Sequence, residues 1–452
     1  MRAGIAFICI FQGKYCKLIF YTYNYCTSIF DLLYYFNSGS KQYNQKNTTG
    51  MDNKLQMDAR QAIRKNCLYR YWLMFRKWQQ LRMYRKTVHK KLFTVSSERV
   101  YNPELISRLL SEKSQKRNKI NGKCKVVGFG TCSWERYGLW DAFSKNCEFS
   151  LFDYGKYEAA NKLRPGEASR REIANAFLKF VEEQEKREPV SLCFFYADTI
   201  YISADLLKSL SQKGIWTVIM GLDDKHRYYN RIQFKMEIGQ ESVVKHADLM
   251  WTTWKSGAQI ILNDGGISWY APEAADPDYY FPIKTEKDLD VVFVGQAYGK
   301  RADLVAFLKK YNIKVDCWGR GWPNGFLSQK DMVKIFNRAN IVIGNGGVQS
   351  MDNIMHLKGR DFEVPMCGSV YLTSFNSELA EMFSIGNDIL CYGSFEEAGE
   401  ICKWLLQRPE MIRQIGESAR DTCLRKHTWE IRIRQLLNLF DFEKIRKQSC
   451  SE

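Results

Sequence analysis

The chain has 452 residues, too many for one hydrophobic core, so two domains with extensions are expected. It is 45% hydrophobic and 14% aromatic, ample for globular cores, and no run of about 18 uncharged apolar residues predicts a transmembrane helix. The net charge is +17, and Ala59 to Ser97 alone carries eleven Lys or Arg with no Asp or Glu. The charge therefore points to one local basic element and not to nucleic-acid binding along the whole chain.

The 14 cysteines include no CxxC pair, and neither they nor the five histidines show zinc spacing. They read as small buried hydrophobes in a reducing compartment, and no metal site is expected.

Residues 1–56 read as an uncertain leader and linker. Met1 to Phe11 resembles a weak signal peptide without a small-residue cleavage site, and a start at Met51 or Met57 fits as well. Residues 57–121 read as a basic amphipathic helical extension. Ile63, Cys67, Tyr71, Met74, Trp78 and Leu81 keep a three-or-four spacing, with Lys and Arg filling much of the remainder. Residues 59–97 could lie on an anionic membrane surface, or pack on the protein's own domain with a solvated basic face.

From residue 122 to 282 the pattern alternates. "CKVVGFG", "CEFSLFDYG", "PVSLCFFYAD", "IWTVIMGLDD" and "ADLMWTT" read as strands. "ASRREIANAFLKFVEEQEK" and "ISADLLKSLSQKG" between them read as helices. Repeated β-α units of this length predict a parallel sheet covered by helices, with ligands outside the strand ends. "APEAADPDYYFPIKTEKD" reads as a linker, and residues 283–430 repeat the α/β pattern before a closing helix in 431–452. The fold class is α/β, with two Rossmann-like domains of parallel sheets facing a cleft, plus the N-terminal helical extension.

Candidate chemistry gathers at strand ends. "VGQAYGKR" offers Gly295, Gln296, Lys300 and Arg301 where a turn opens a helix, a favourable place for phosphate. "WGRGWPNG" offers Gly319 and Arg320, either beside a flat base or sugar or in a tight turn around a core Trp. "LKGRDFEVPMCG" crowds Lys358, Gly359, Arg360, Asp361 and Glu363 before an apolar strand. Lys358 and Arg360 suit a diphosphate and Glu363 a bidentate diol contact, or all of them cap and pair a helix start. In the first domain Asp224 and His226 of "GLDDKH", and Glu135 of "TCSWERYG", are the general-base candidates. Asp224 also reads as a helix N-cap.

The span from about Asp290 to Phe440 carries "DVVFVGQAYGKR", "CWGRGWPNG", "LKGRDFEVPMCGSVYLT", "ILCYGSFEEAGE" and "RKHTWEIRI". These stretches resemble the spore-maturation CgeB-like glycosyltransferases, which have the GT-B fold. "GLDDKH" and "AADPDYY" look like the same family's first-domain and linker features.

The resemblance implies a nucleotide-diphospho-sugar donor on the second domain, with the carboxylate at Glu363 on the ribose hydroxyls. It implies an acceptor on the first domain, and with the basic segment 59–97 the leading expectation is transfer to a glycan or lipid-linked acceptor at the cytoplasmic membrane face. One departure stands out. Retaining relatives carry an acid eight positions before the glutamate matched by Glu363, and here that position is Met355, beside His356. "DPD" at Asp276 lies in the linker, so no metal and no cofactor beyond the donor substrate is expected. A sugar-nucleotide epimerase of the same fold, or a non-catalytic nucleotide-sugar or membrane-binding protein, stays open. Nucleic-acid binding through the basic helix is a further alternative and is not the expectation.

Overall fold

The structure, a computed structural model, describes residues 102–118, 124–162, 165–221, 223–233, 235–348 and 351–440. The basic segment 59–97 lies outside the described residues. Both α/β domains fall in one compact unit.

The first domain opens with α1 (Pro103–Lys113), β1 (Lys125–Gly130), α2 (Leu139–Asn146) and β2 (Glu148–Asp153). It continues through α3 (Glu167–Glu185), β3 (Leu192–Phe195), α4 (Ala204–Gln212), β4 (Trp216–Met220) and the single turn α5 (Asp224–Arg227). A hairpin of β5 (Arg231–Gln233) and β6 (Met236–Ile238) precedes β7 (Leu249–Thr252), α6 (Lys255–Asn263) and β8 (Ser268–Tyr270). The sheet order is β2-β1-β3-β4-β7-β8, with every pairing parallel.

Its strands are near-continuous apolar runs because helices cover both faces. Alternate residues go to opposite cores. Val127, Phe129, Cys193 and Phe195 enter one, and Val126, Leu192, Phe194 and Val218 the other. α1 falls in the sequence-expected extension, yet it buries Ile106 and Leu110 in the second of these cores. Asn102 caps it by accepting from the Glu104 amide at 2.8 Å.

The second domain runs β9 (Leu289–Val294), α7 (Lys300–Lys310), β10 (Val315–Trp318), α8 (Gln329–Arg338) and β11 (Ala339–Ile343). A short hairpin of β12 (Gly347–Val348) and β13 (Met351–Met355) leads to α9 (Arg360–Met366), β14 (Tyr371–Ser374), α10 (Ser377–Met382) and β15 (Leu390–Tyr392). The sheet order is β10-β9-β11-β14-β15, again parallel throughout. The helical pattern of "SFEEAGEICKWLLQRPEMIRQIGESARDTCLRK", continuous in the sequence, divides into α11 (Phe395–Leu406) and α12 (Pro409–Lys426), because Pro409 starts a helix more readily than it continues one.

Two segments tie the domains together. The linker is packed as well as irregular: Ala274 enters a first-domain core, while Ala275 and Tyr280 enter a second-domain core. The closing helix α13 (Trp429–Asn438) returns to the first domain, where Trp429, Ile433 and Leu436 join the core holding Trp251 and Trp269. In the second sheet the chain leaves β9 for β10 and then returns to β11 on the other side of β9. The crevice beyond β9 and β11 is thus a topological switch point, where parallel sheets bind ligands.

Candidate active site

The switch point is built from interlocked glycine turns. Gly319 has φ +118°, and a Cβ there would stand 2.3 Å from the Gly295 carbonyl oxygen. Only glycine lets the β10 loop approach the β9 turn so closely. Trp322 Nε1 donates to the same Gly295 oxygen at 2.9 Å, and its ring meets Phe293 edge-on at 5.6 Å. Of the two readings the sequence leaves for "WGRGWPNG", this Trp takes the tight-turn one. Arg320 lies 5.9 Å from the ring of Phe326, which is 74% exposed.

Arg301 spans the crevice. Its guanidinium donates to Gln296 O at 3.3 Å beyond β9 and to Asn345 O at 3.1 Å beyond β11, and lies 4.1 Å from the Tyr298 ring centre. Lys300 is exposed at the start of α7.

The stretch around α9 divides its charges. The buried Asp361 carboxylate accepts from the Lys358 amide at 2.8 Å, and burial pushes its pKa up to about 7. Glu363, 8% exposed, accepts from the Tyr280 hydroxyl at 2.9 Å and pairs with Arg360. Arg360 in turn lies 5.5 Å from the Phe336 ring. Lys358 reaches across to the first domain, with Nζ 3.2 Å from Asp223 Oδ1. Burial works against its charge, but Asp223 holds the ammonium above its ordinary range.

Gly359 lets two carboxylates close in: a Cβ there would stand 3.3 Å from Glu363 Oε1 and 3.3 Å from Glu273 Oε2. Glu273 belongs to the linker and carried no motif signal. Burial pushes its carboxyl up to about 7, with Lys358 drawing it down and Asp223 raising it.

The "GLDDKH" turn faces two ways. Asp223 adopts left-handed backbone (φ 53°) and points to Lys358, with Arg227 3.9 Å away. Asp224 is 1% exposed and turned into the first domain. It accepts from Gln240 Nε2 at 2.6 Å and from the Thr252 hydroxyl, and burial raises its pKa to about 6. That geometry is structural in character and gives Asp224 no open path to the cleft. The side chain of His226 lies outside the described ones.

Lys225, which the sequence reading passed over, is buried and crosses between domains. Its Nζ donates to Glu378 Oε1 and to the Met355 carbonyl, each at 2.6 Å. Glu378 also accepts from the Lys255 amide at 3.0 Å, and Lys255 Nζ lies 2.6 Å from Glu381. These contacts bridge 123 to 153 positions of sequence, so no local motif announces them.

Glu135 is buried in the turn after β1. It accepts from Thr131 Oγ1 at 3.0 Å, Ser133 N at 3.1 Å and Ser133 Oγ at 3.0 Å, while burial raises its pKa. Met355, at the position where an acid was expected, sets its thioether 3.2 Å from Ser374 Oγ. Beside it the buried His356 lies with Nδ1 2.8 Å from Leu357 O, and burial lowers its pKa to about 3, so the ring is neutral.

The second-domain wall thus sets Arg301, Lys358 and Arg360 beside the carboxyls of Asp361 and Glu363, while Glu135, Asp223 and Glu273 lie around the first domain and linker with Lys225 and Arg227. An anionic ligand would meet the guanidinium of Arg301 and the ammonium of Lys358 there. Among the described residues no group of three or more side chains could hold a metal ion, and no helix is long and apolar enough to cross a membrane.

Comparison with known proteins agrees with this architecture. Residues 300–438 match the family model described as glycosyl transferase-like, inside the span whose motifs resemble glycosyltransferases. A glycosyltransferase from Rickettsia africae superposes with a TM-score of 0.50 at 10% identity, over 72% of this chain and all of that one. Sucrose-phosphate synthase from Thermosynechococcus elongatus gives 0.47 at 10% identity over 73% of this chain and 100% of its own. HepE of Anabaena, solved in complex with UDP-glucose, gives 0.46 at 10% identity over 73% and 100%. No curated protein matches the sequence. At 10% identity the Rickettsia superposition speaks for the fold alone, which is that of the GT-B glycosyltransferases.

Proposed function

We propose that the protein is a glycosyltransferase that moves a sugar from a nucleotide-diphospho-sugar to a glycan or lipid-linked acceptor. One observation carries the reading: Arg301 and Lys358 converge on the second-domain switch point, inside or beside the segment matching a glycosyl transferase-like family. A diphosphate placed there meets fixed positive charge, which stabilises the negative charge that develops as it leaves, without requiring a metal. Lys358 exchanges Asp223 for phosphate when donor enters. Arg360 strengthens the same wall, and Glu363 offers the ribose the lone pairs that Tyr280 and Arg360 leave. The CgeB-like resemblance is the finer form of this reading.

In this account the acceptor hydroxyl attacks the anomeric carbon from the first-domain side. Of its three sequence-derived base candidates, Glu135, Asp224 and His226, Asp224 is enclosed by Gln240 and Thr252. The basic segment 59–97 would bring the enzyme to an anionic membrane where a lipid-linked acceptor is presented. Met355 favours a second reading, a protein that binds nucleotide sugars without turnover, because its thioether grips no sugar hydroxyl as a carboxylate would. A panel of nucleotide sugars separates the two. Release of nucleoside diphosphate together with sugar on an acceptor supports transfer, and binding without release supports the second reading.

A further inference from the structure

Glu273 has no role in the account so far, yet its placement is unusual among the acids of the cleft. Its chain belongs to the linker after β8, but its carboxylate overlies Gly359 on the second domain beside Glu363. Glu135, Asp223, Asp224, Asp361 and Glu363 are all engaged by hydrogen bonds or ion pairs. Glu273 makes neither among the described residues, and the residue is partly exposed.

A second observation comes from the end of β3. The Tyr196 hydroxyl is buried, its residue only 2% exposed, and it has no hydrogen-bond partner. The carboxylates acting on it are, in order, Glu273, Glu135 and Asp223. A buried hydroxyl without a partner is costly unless something else completes it. Here it lies at the end of β3 near those carboxylates, and a ligand hydroxyl entering beside Glu273 would complete it.

We infer that Glu273 accepts the proton of the incoming acceptor hydroxyl and that Tyr196 hydrogen-bonds the acceptor to position it. This inference rests on the glycosyl-transfer reading and names its base. In the step the acceptor O–H gives its proton to the Glu273 carboxylate, and its oxygen forms the bond to the anomeric carbon. The bond from that carbon to the donor phosphate oxygen breaks with its electron pair, leaving nucleoside diphosphate against Lys358 and Arg301. The Glu273 carboxylic acid then returns its proton to solvent. Burial, with Lys358, Asp223, Asp361 and Arg360 nearby, sets this carboxyl near the pH at which a base is most effective.

The test uses the full chain, the five common nucleoside diphosphates (UDP, GDP, ADP, CDP, dTDP) and their sugars. Glu273→Gln should bind the recognised diphosphate within about threefold of wild type while turnover falls about 100-fold or more. The acid limb of the rate profile near pH 7 should disappear. Formate should restore turnover to Glu273→Ala but not to Glu273→Gln, a response that a structural role would not give. Tyr196→Phe should lower kcat/KM for acceptor about tenfold and keep the acid limb. Turnover of Glu273→Gln within threefold of wild type, with the acid limb intact, overturns the inference alone. Diphosphate binding without turnover in the wild type overturns it too, and failure to bind any of the five removes the donor reading itself.

Discussion

The Lys225–Glu378 pair gives the sharpest test of how the two domains are held. Nζ and Oε1 are 2.6 Å apart, and the side chains are 8% and 10% exposed. At an effective dielectric near 20 the gross attraction is roughly 6 kcal/mol, most of it offset by taking both charges out of water. Removing one partner leaves the other charge buried, which costs roughly 3–5 kcal/mol. Glu378→Leu also strips an acceptor from the Lys255 amide, so it belongs at the upper end. Lys225→Met keeps the length of the side chain and belongs at the lower end. The double variant Lys225→Met/Glu378→Leu replaces the pair by apolar bulk and should lie within about 2 kcal/mol of wild type. Urea unfolding of the four proteins, followed by tryptophan fluorescence, measures the coupling. A coupling above about 2 kcal/mol is expected. Single variants that lose under about 1 kcal/mol each and add without coupling would refute a buried bridge between the domains.

Lys358→Ala should raise the Kd for nucleoside diphosphate at least about tenfold, whereas Asp223→Asn, by freeing Lys358, should lower it a few-fold; titration calorimetry checks both. Gly319→Ala places a methyl against the Gly295 oxygen on left-handed backbone. It should cost about 2–3 kcal/mol by denaturant titration and weaken diphosphate binding, since the two turns move together. Burial raises the Asp361 carboxyl from 3.8 to about 7, so its contribution is present below pH 3.8 and lost as pH rises through 7. Wild-type stability relative to Asp361→Asn should therefore fall by up to about 4 kcal/mol between pH 4 and 8, and a flat difference would contradict the burial.

Much of the architecture was legible in the sequence because it rests on local pattern. Runs such as "CKVVGFG" and "LDVVFVG" are too short for helices and apolar on both faces, so they announce strands covered on two sides. The alternation of such runs with amphipathic helices then requires parallel sheets. The split between α11 and α12 was hidden because the hydrophobic period runs through Pro409. The site was legible only where it is local. The glycine turn before Arg301 and the charged start of α9 stand out, and both reach the switch point. What the sequence could not show are the partners. Asp223 and Asp224 are neighbours on one turn, and only the packing decides that one faces Lys358 while the other is enclosed by Gln240 and Thr252. Glu273 was hidden because a linker glutamate has no periodicity, and Lys225 because its partner lies 153 positions away.

The claim that the crevice at Arg301 and Lys358 serves a nucleotide-sugar donor is tested most directly by turnover. Purified full-length protein is incubated with each nucleotide sugar of the panel, and nucleoside diphosphate release is followed in wild type and Lys358→Ala. The account predicts release from at least one donor, reduced at least about tenfold in the variant. Release from no donor, or release that Lys358→Ala leaves unchanged, would contradict it.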